Sequence, residues 1–210
     1  MATYSESDFG QISGRWGEYV GASWLGRKVL RRYPTRVPNP RTPVQQANRG
    51  RFATAVQLAK GFLPAIRLGY GMAGPERSAY NHFISAALSY IFKVPGFPTQ
   101  VNYAQLPLSV ASLVPPQFQS IQWLGNQEVQ LSWSSPIRPS GPPFLAVAAA
   151  VLVGGGEPEF ALMMTPEAQQ QGTLSFPLTP QPGQKMHGYL FASDPVTGET
   201  SSTAYQSHAF

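Results

Sequence analysis

The spacing of apolar residues changes twice along the chain, and each change marks a different kind of element. From Gln11 to Tyr33, small, apolar and polar types alternate. Trp16, Tyr19, Val20, Trp24, Val29 and Leu30 suit strands and Gly26 suits a turn, so a β-hairpin is predicted. Gly10, Gly14, Gly17, Gly21 and Gly26 weaken that hairpin in isolation, because each adds backbone entropy and no side chain to pack. It therefore needs a partner surface. Pro34 to Pro43 holds four prolines and should run extended.

Helical spacing follows. Thr42 can cap, Pro43 takes the first helical position and Gln45 stands where a capping box needs it. Val44, Phe52, Val56, Ala59 and Leu63 form the expected apolar face, ended by Gly61 and Pro64. A second helix is predicted from Pro75 to about Phe92, burying Tyr80, Phe83, Ile84, Ala87, Leu88 and Ile91. The two helices are expected to shield one face of the hairpin.

Beyond Phe97 the period becomes two. Strands are predicted near residues 100–110, 118–124, 128–134, 144–152, 158–164, 172–177, 185–193 and 199–206, with a turn at Asn126. Val129, Leu131 and Trp133 share one face, and Tyr189, Phe191 and Tyr205 are expected to supply the layer opposite. The fold class is α+β: an N-terminal β-hairpin with a helical pair over residues 1–97, and a C-terminal immunoglobulin- or fibronectin III-like antiparallel β-sandwich over residues 98–210. The sandwich should fold alone as a fragment of about residues 112–210.

Composition narrows the chemistry. The chain has 210 residues with 42% hydrophobic and 12% aromatic types, enough for a sizeable core. Only 12% are charged, while 20 glycines and 21 prolines favour turns and short strands. There is no cysteine, which excludes disulfides and thiolate chemistry. Met1 to Gly10 is polar and acidic, without the pattern of a secretory signal. Phe144 to Val153, the longest apolar stretch, is too short to span a bilayer as a helix. Cytoplasmic synthesis is expected, with a virion or extracellular location after release.

Charge divides the chain more sharply than hydropathy does. Residues 1–97 carry 13 Lys and Arg against 4 Asp and Glu, and residues 98–210 carry 2 against 6, so the parts stand at +9 and −4. Arg27, Lys28, Arg31, Arg32, Arg36, Arg41, Arg49 and Arg51 occur in one stretch without an acid. Such a stretch attracts phosphate or an acidic protein face, or simply keeps a protein of low charge density soluble.

The segments Gly14-Arg-Trp-Gly-Glu-Tyr-Val-Gly-Ala-Ser-Trp-Leu-Gly26, Arg31-Arg32, Asn39-Pro-Arg-Thr-Pro-Val-Gln45 and Arg51-Phe52 resemble an uncharacterised bacterial family. That resemblance implies a glycine-rich hairpin, an Asn-Pro-x-Thr-x-x-Gln helix start and a C-terminal sandwich, with kinship to phage-like proteins. Ser201 to Phe210 departs from the Ser-Asn-Ser-Val-Tyr ending usual in the family.

Signals for catalysis are weak. Gly69-Tyr-Gly-Met-Ala-Gly74 matches a dinucleotide-binding spacing without the preceding strand or later acid that the chemistry needs, so it reads as a joint between helices. His82, His187 and His208 are scattered, and Glu157 and Glu159 border a glycine-rich turn. The expectation is therefore no enzyme, no cofactor, no metal and no small-molecule substrate. The leading functional reading is a self-assembling subunit of a homopolymeric filament or phage-like particle, with Trp16, Tyr19, Trp24, Arg31 and Arg32 at the interface. One alternative is nucleic-acid binding through Arg27, Lys28, Arg31, Arg32, Arg36 and Arg41. Another is adhesion through the sandwich.

Overall fold

The computed structural model describes residues 2–3, 13–24, 26–36, 39–71, 77–91, 101–110, 113–125, 128–134, 144–167 and 171–210. The predicted hairpin is part of a larger sheet. Strands β1 (Ala2–Thr3), β2 (Gly14–Trp16), β3 (Tyr19–Trp24) and β4 (Arg27–Arg32) pair antiparallel in the order β1-β4-β3-β2. The two-residue turn between β2 and β3 is possible because Gly17 takes a positive φ of 56°.

Helix α1 (Pro43–Gly61) starts where the sequence indicates, with the Thr42 side chain accepting from the Gln45 amide at 3.3 Å and Pro43 at the first position. Gln45 does not complete the box: its Oε1 is buried with no partner among the described residues, and Gln46 Nε2 donates to the Arg41 carbonyl. Gly61 and Pro64 break the helix for one residue only, since α2 (Leu63–Gly69) follows, and then α3 (Ala79–Tyr90) begins at the Ser78 cap. The expected stripe is matched in part, with Val56 and Leu63 half-buried. Ala55, Leu58, Ala59 and Phe62 are buried, while Val44 and Phe52 are exposed. On α3, Phe83, Ile84 and Ala87 are buried, as is Ile91 just beyond it, and Leu88 is exposed.

Among the described residues seven more strands follow: β5 (Gln117–Trp123), β6 (Val129–Ser134), β7 (Leu145–Val153), β8 (Glu159–Met164), β9 (Gln171–Phe176), β10 (Lys185–Ser193) and β11 (Ala204–Ala209). They form two open antiparallel sheets, one ordered β11-β10-β7-β8 and the other β5-β6-β9. The strand expected over 100–110 is instead a short 3₁₀ turn, Tyr103–Gln105, and an extended segment. The turn expected at Asn126 lies outside the described residues.

Helices and strands share one core. Val147, Ala149, Val151, Tyr189 and Phe191 pack with Leu58, Phe62, Ile66, Phe83 and Ile91 in a single cluster. The opposite face of the same two strands, Ala146, Ala148, Ala150, Leu152, Met186 and Leu190, meets Val129, Leu131, Trp133, Leu174 and Phe176 of the three-stranded sheet. The order of layers is thus helices, four-stranded sheet, three-stranded sheet. Two expectations are corrected by this arrangement. The helices cover the central sheet rather than the hairpin, and Tyr189, Phe191 and Tyr205 face the helices rather than Trp133. Residue 97 therefore separates two parts of the sequence that share a core. A fragment starting near residue 112 would bare the helix-facing side of β7 and β10.

The helices are held in place by a backbone contact at Gly69. A Cβ there would lie 2.0 Å from the Leu108 carbonyl oxygen. The Gly69 carbonyl accepts from the Val110 amide at 3.0 Å and from Thr200 Oγ1 at 3.2 Å, and Thr200 Oγ1 is also 2.7 Å from the Val110 carbonyl. Ser109 Oγ donates to the Ser201 carbonyl at 2.6 Å, and Tyr70 Oη to the Pro107 carbonyl at 2.7 Å. Burial, with Tyr90 nearby, pushes the Tyr70 phenol up to about 12. Gly69 thus serves close packing.

Between the helices and β10 sits a stack of rings. His187 lies face to face with Tyr103 at 4.2 Å between centroids, and its Nδ1 is 2.8 Å from Tyr205 Oη. Tyr189 Oη donates to the Tyr103 carbonyl at 3.0 Å. Burial, helped by Lys185, lowers the His187 pKa to about 4.

Two outcomes follow from these contacts. Gly69→Ala should lower the denaturant midpoint by an amount equivalent to about 2 kcal/mol, the usual scale of overpacking, because the obstructing atom belongs to the backbone. An unchanged midpoint would refute the close approach. The second outcome concerns pH. An unfolded imidazole, with a pKa of about 6.5, takes up a proton before the folded one does, so the stability from neutral His187 is complete above that pH and declines toward pH 4. Thermal melts from pH 8 to 4 should show a shallower decline for His187→Gln than for the wild type.

Candidate interaction surfaces

The four strands β1–β4 stand apart from the rest in one respect: none of their described residues belongs to a hydrophobic core cluster. Among those residues only Gly21 is buried. Trp16 is 62% exposed and Tyr19 44%. A small sheet gains independent stability from a hydrophobic face or from packing against a helix. Here Val20, Lys28, Val29 and Leu30 are half-buried, while Gly14 to Tyr19, Ala22, Ser23, Arg27, Arg31 and Arg32 are exposed.

Pairing register divides the expected interface residues. Trp16 is opposite Tyr19, and Tyr19 is opposite Arg32, so these three form one row across β2, β3 and β4 on a single face. Arg31 is opposite Val20, which is opposite Arg15, placing Arg31 on the other face. Trp24 pairs with Arg27 at the far end of the ladder. The structure thus brings Trp16, Tyr19 and Arg32 together and separates Arg31 from them.

The basic residues are divided as well. Arg15, Glu18, Arg32, Tyr33 and Arg36 line a cleft of about 540 Å³ at the β2–β3 turn. The Arg15 guanidinium lies 4.2 Å above the Tyr33 ring, and Arg32 pairs with Glu18 at 3.0 Å. That ion pair is exposed on both sides and adds little to stability. Arg27 and Lys28 stand at the opposite end of the β3–β4 ladder, roughly 17 Å away by strand rise. Arg41 precedes α1 and is not part of the cleft.

A second surface was not anticipated from the sequence. Trp123, 48% exposed, closes the end of β5 beside His208 of β11, Phe210 just after it and the loop Thr179 to Pro182. Only the run of an aromatic into Gly125 hints at it, since an indole at a strand end has fewer neighbours to cover it.

The three histidines do not come together among the described residues. His82 is on α3 near Tyr70, and His187 and His208 sit on neighbouring strands at different registers. Glu157 and Glu159 are exposed. Among the described residues no group of three His, Asp or Glu is placed to hold a metal ion, and no helix is long and apolar enough to cross a membrane.

No curated protein matches the chain. A family model does: it spans residues 11–197, from the sheet of exposed aromatics through β10, and the chain therefore belongs to a family of unknown function (DUF6266).

Proposed function

We propose that this protein is a self-assembling structural subunit, of a filament or phage-like particle, whose N-terminal sheet docks on a neighbouring copy. The observation carrying this reading is that β1–β4 have no core of their own while exposing Trp16 and Tyr19 in one row with Arg32. Aromatic and Arg side chains of this kind are the usual anchors of protein interfaces. The charge division supports a head-to-tail arrangement, because the +9 part of one copy meets the −4 part of the next. A contact of that type closes into rings or extends as filaments.

The body suits a scaffold. Its sandwich carries strands 5, 6 and 9 in one sheet and strands 11, 10, 7 and 8 in the other, an arrangement we assign to the fibronectin III-like class. Such a fold by itself specifies no activity. Nucleic-acid binding is the second reading, favoured by the cleft that gathers Arg15, Arg32 and Arg36 around Tyr33. Its affinity for duplex DNA would fall with salt at a log-log slope of about −0.9 per neutralised phosphate.

Light scattering after size exclusion, with negative-stain microscopy, tests the proposal. Wild-type protein should form concentration-dependent oligomers or polymers that weaken as salt rises. Trp16→Ala or Tyr19→Ala should weaken each contact by about 2 kcal/mol, enough to abolish a polymer. Arg32→Glu should do likewise, and Arg31→Glu, on the opposite face, should do less. A wild-type protein that stays monomeric at high concentration across low and moderate salt rules the proposal out.

A further inference from the structure

Beyond the N-terminal sheet, we infer that the groove at the end of the sandwich is a binding site for an uncharged saccharide. The groove is about 700 Å³ and is lined by Ile121, Gln122, Trp123, the loop Thr179 to Pro182, His208 and Phe210. That volume lies within the range of small-ligand sites. It arises where the end of β5, the β9–β10 connection and the C-terminus meet.

Its lining determines the ligand class. Among the described residues, no Asp, Glu, Lys or Arg side chain lines it, which favours a neutral ligand over a multiply charged one. The floor is aromatic: Trp123 and Phe210 stand nearly perpendicular, at 85° with centroids 6.3 Å apart, and His208 meets Phe210 at 4.8 Å. Perpendicular contact keeps the rings in place while leaving the indole half exposed. The half-exposed indole suits a ring with one face of C–H groups, whereas a lipid chain would need enclosure.

The rim is polar and its hydrogen-bonding capacity is unused. The side-chain amides of Gln122 and Gln181 and the His208 ring make no hydrogen bond among the described residues; at Gln181 the backbone is what is engaged, its N–H donating to Gln184 Oε1 at 2.7 Å and its carbonyl accepting from the Gln184 amide at 3.0 Å. A Gln amide offers both donors and an acceptor, which matches hydroxyl groups that themselves donate and accept. A pyranose presents both features together, a C–H face to the indole and hydroxyls at its edge to the amides. Loop prolines Pro180 and Pro182 fix φ and so hold that wall in place.

Isothermal titration of the full chain with neutral hexasaccharides of glucose, N-acetylglucosamine and mannose, and with a heparin hexasaccharide as the charged comparison, tests the site. At least one neutral hexasaccharide should bind with Kd below about 1 mM, an affinity unchanged within twofold between low and high salt. Trp123→Ala should weaken it at least tenfold and Gln122→Ala severalfold, both with unaltered circular dichroism. Trp16→Ala should leave it unaffected, which keeps this site distinct from the assembly surface. If none of the neutral sugars binds, if binding survives Trp123→Ala, or if only heparin binds and does so in a salt-dependent manner, the inference is overturned.

Discussion

Everything in the body of this protein rests on one strand pair that is buried on both faces. β7 and β10 run antiparallel over nine residue pairs, and their inner residues are covered by helices on one side and by the three-stranded sheet on the other. The side chains of β7 explain how both layers can close. Ala146, Ala148 and Ala150 present minimal bulk to the three-stranded sheet, leaving room for Trp133 and Phe176, while Val147, Ala149 and Val151 meet the helices. Close packing of this kind makes larger residues along β7 hard to accommodate. The helical layer is then held from the side, where the Gly69 carbonyl joins α2 to Val110 and Thr200.

The N-terminal sheet is built on the opposite principle. It pairs its backbone strand to strand and leaves many of its described side chains exposed, with Val20, Lys28, Val29 and Leu30 half-buried. The proposed assembly role and the proposed saccharide groove thus lie in different parts of the molecule and depend on different chemistry. One uses arginine and exposed rings; the other uses an indole and neutral amides.

Strand positions were legible in the sequence because alternation is a local property. β5 to β10 lie within a residue or two of their expected ranges, and the α1 cap is where Thr42 and Pro43 place it. What covers each face was not legible. Tyr189 and Phe191 alternate correctly, yet periodicity cannot say whether a helix or a second sheet lies opposite, and the helix layer comes from residues more than 90 positions away. On α1 and at the start of α2, Val56, Ala59 and Leu63 were legible, but large Val44 and Phe52 are exposed, and small Ala55, which periodicity gives little weight, is buried instead. Of the interface residues, their types were legible but not their register, which separates Arg31 from Trp16, Tyr19 and Arg32. The groove at Trp123 depends on three segments far apart in the chain, so no local pattern announces it.

The central claim is that the body is ordered by its doubly buried strand pair whereas the N-terminal sheet depends on a neighbour. Hydrogen–deuterium exchange of the full chain, followed peptide by peptide at low and high protein concentration, tests it most directly. The account predicts that amides of β7 and β10 exchange slowest at both concentrations, and that those of β2 to β4 exchange fast when dilute and become protected when concentrated. Slow, concentration-independent exchange across β2 to β4 would contradict it, because a sheet protected in the monomer has no need of a partner.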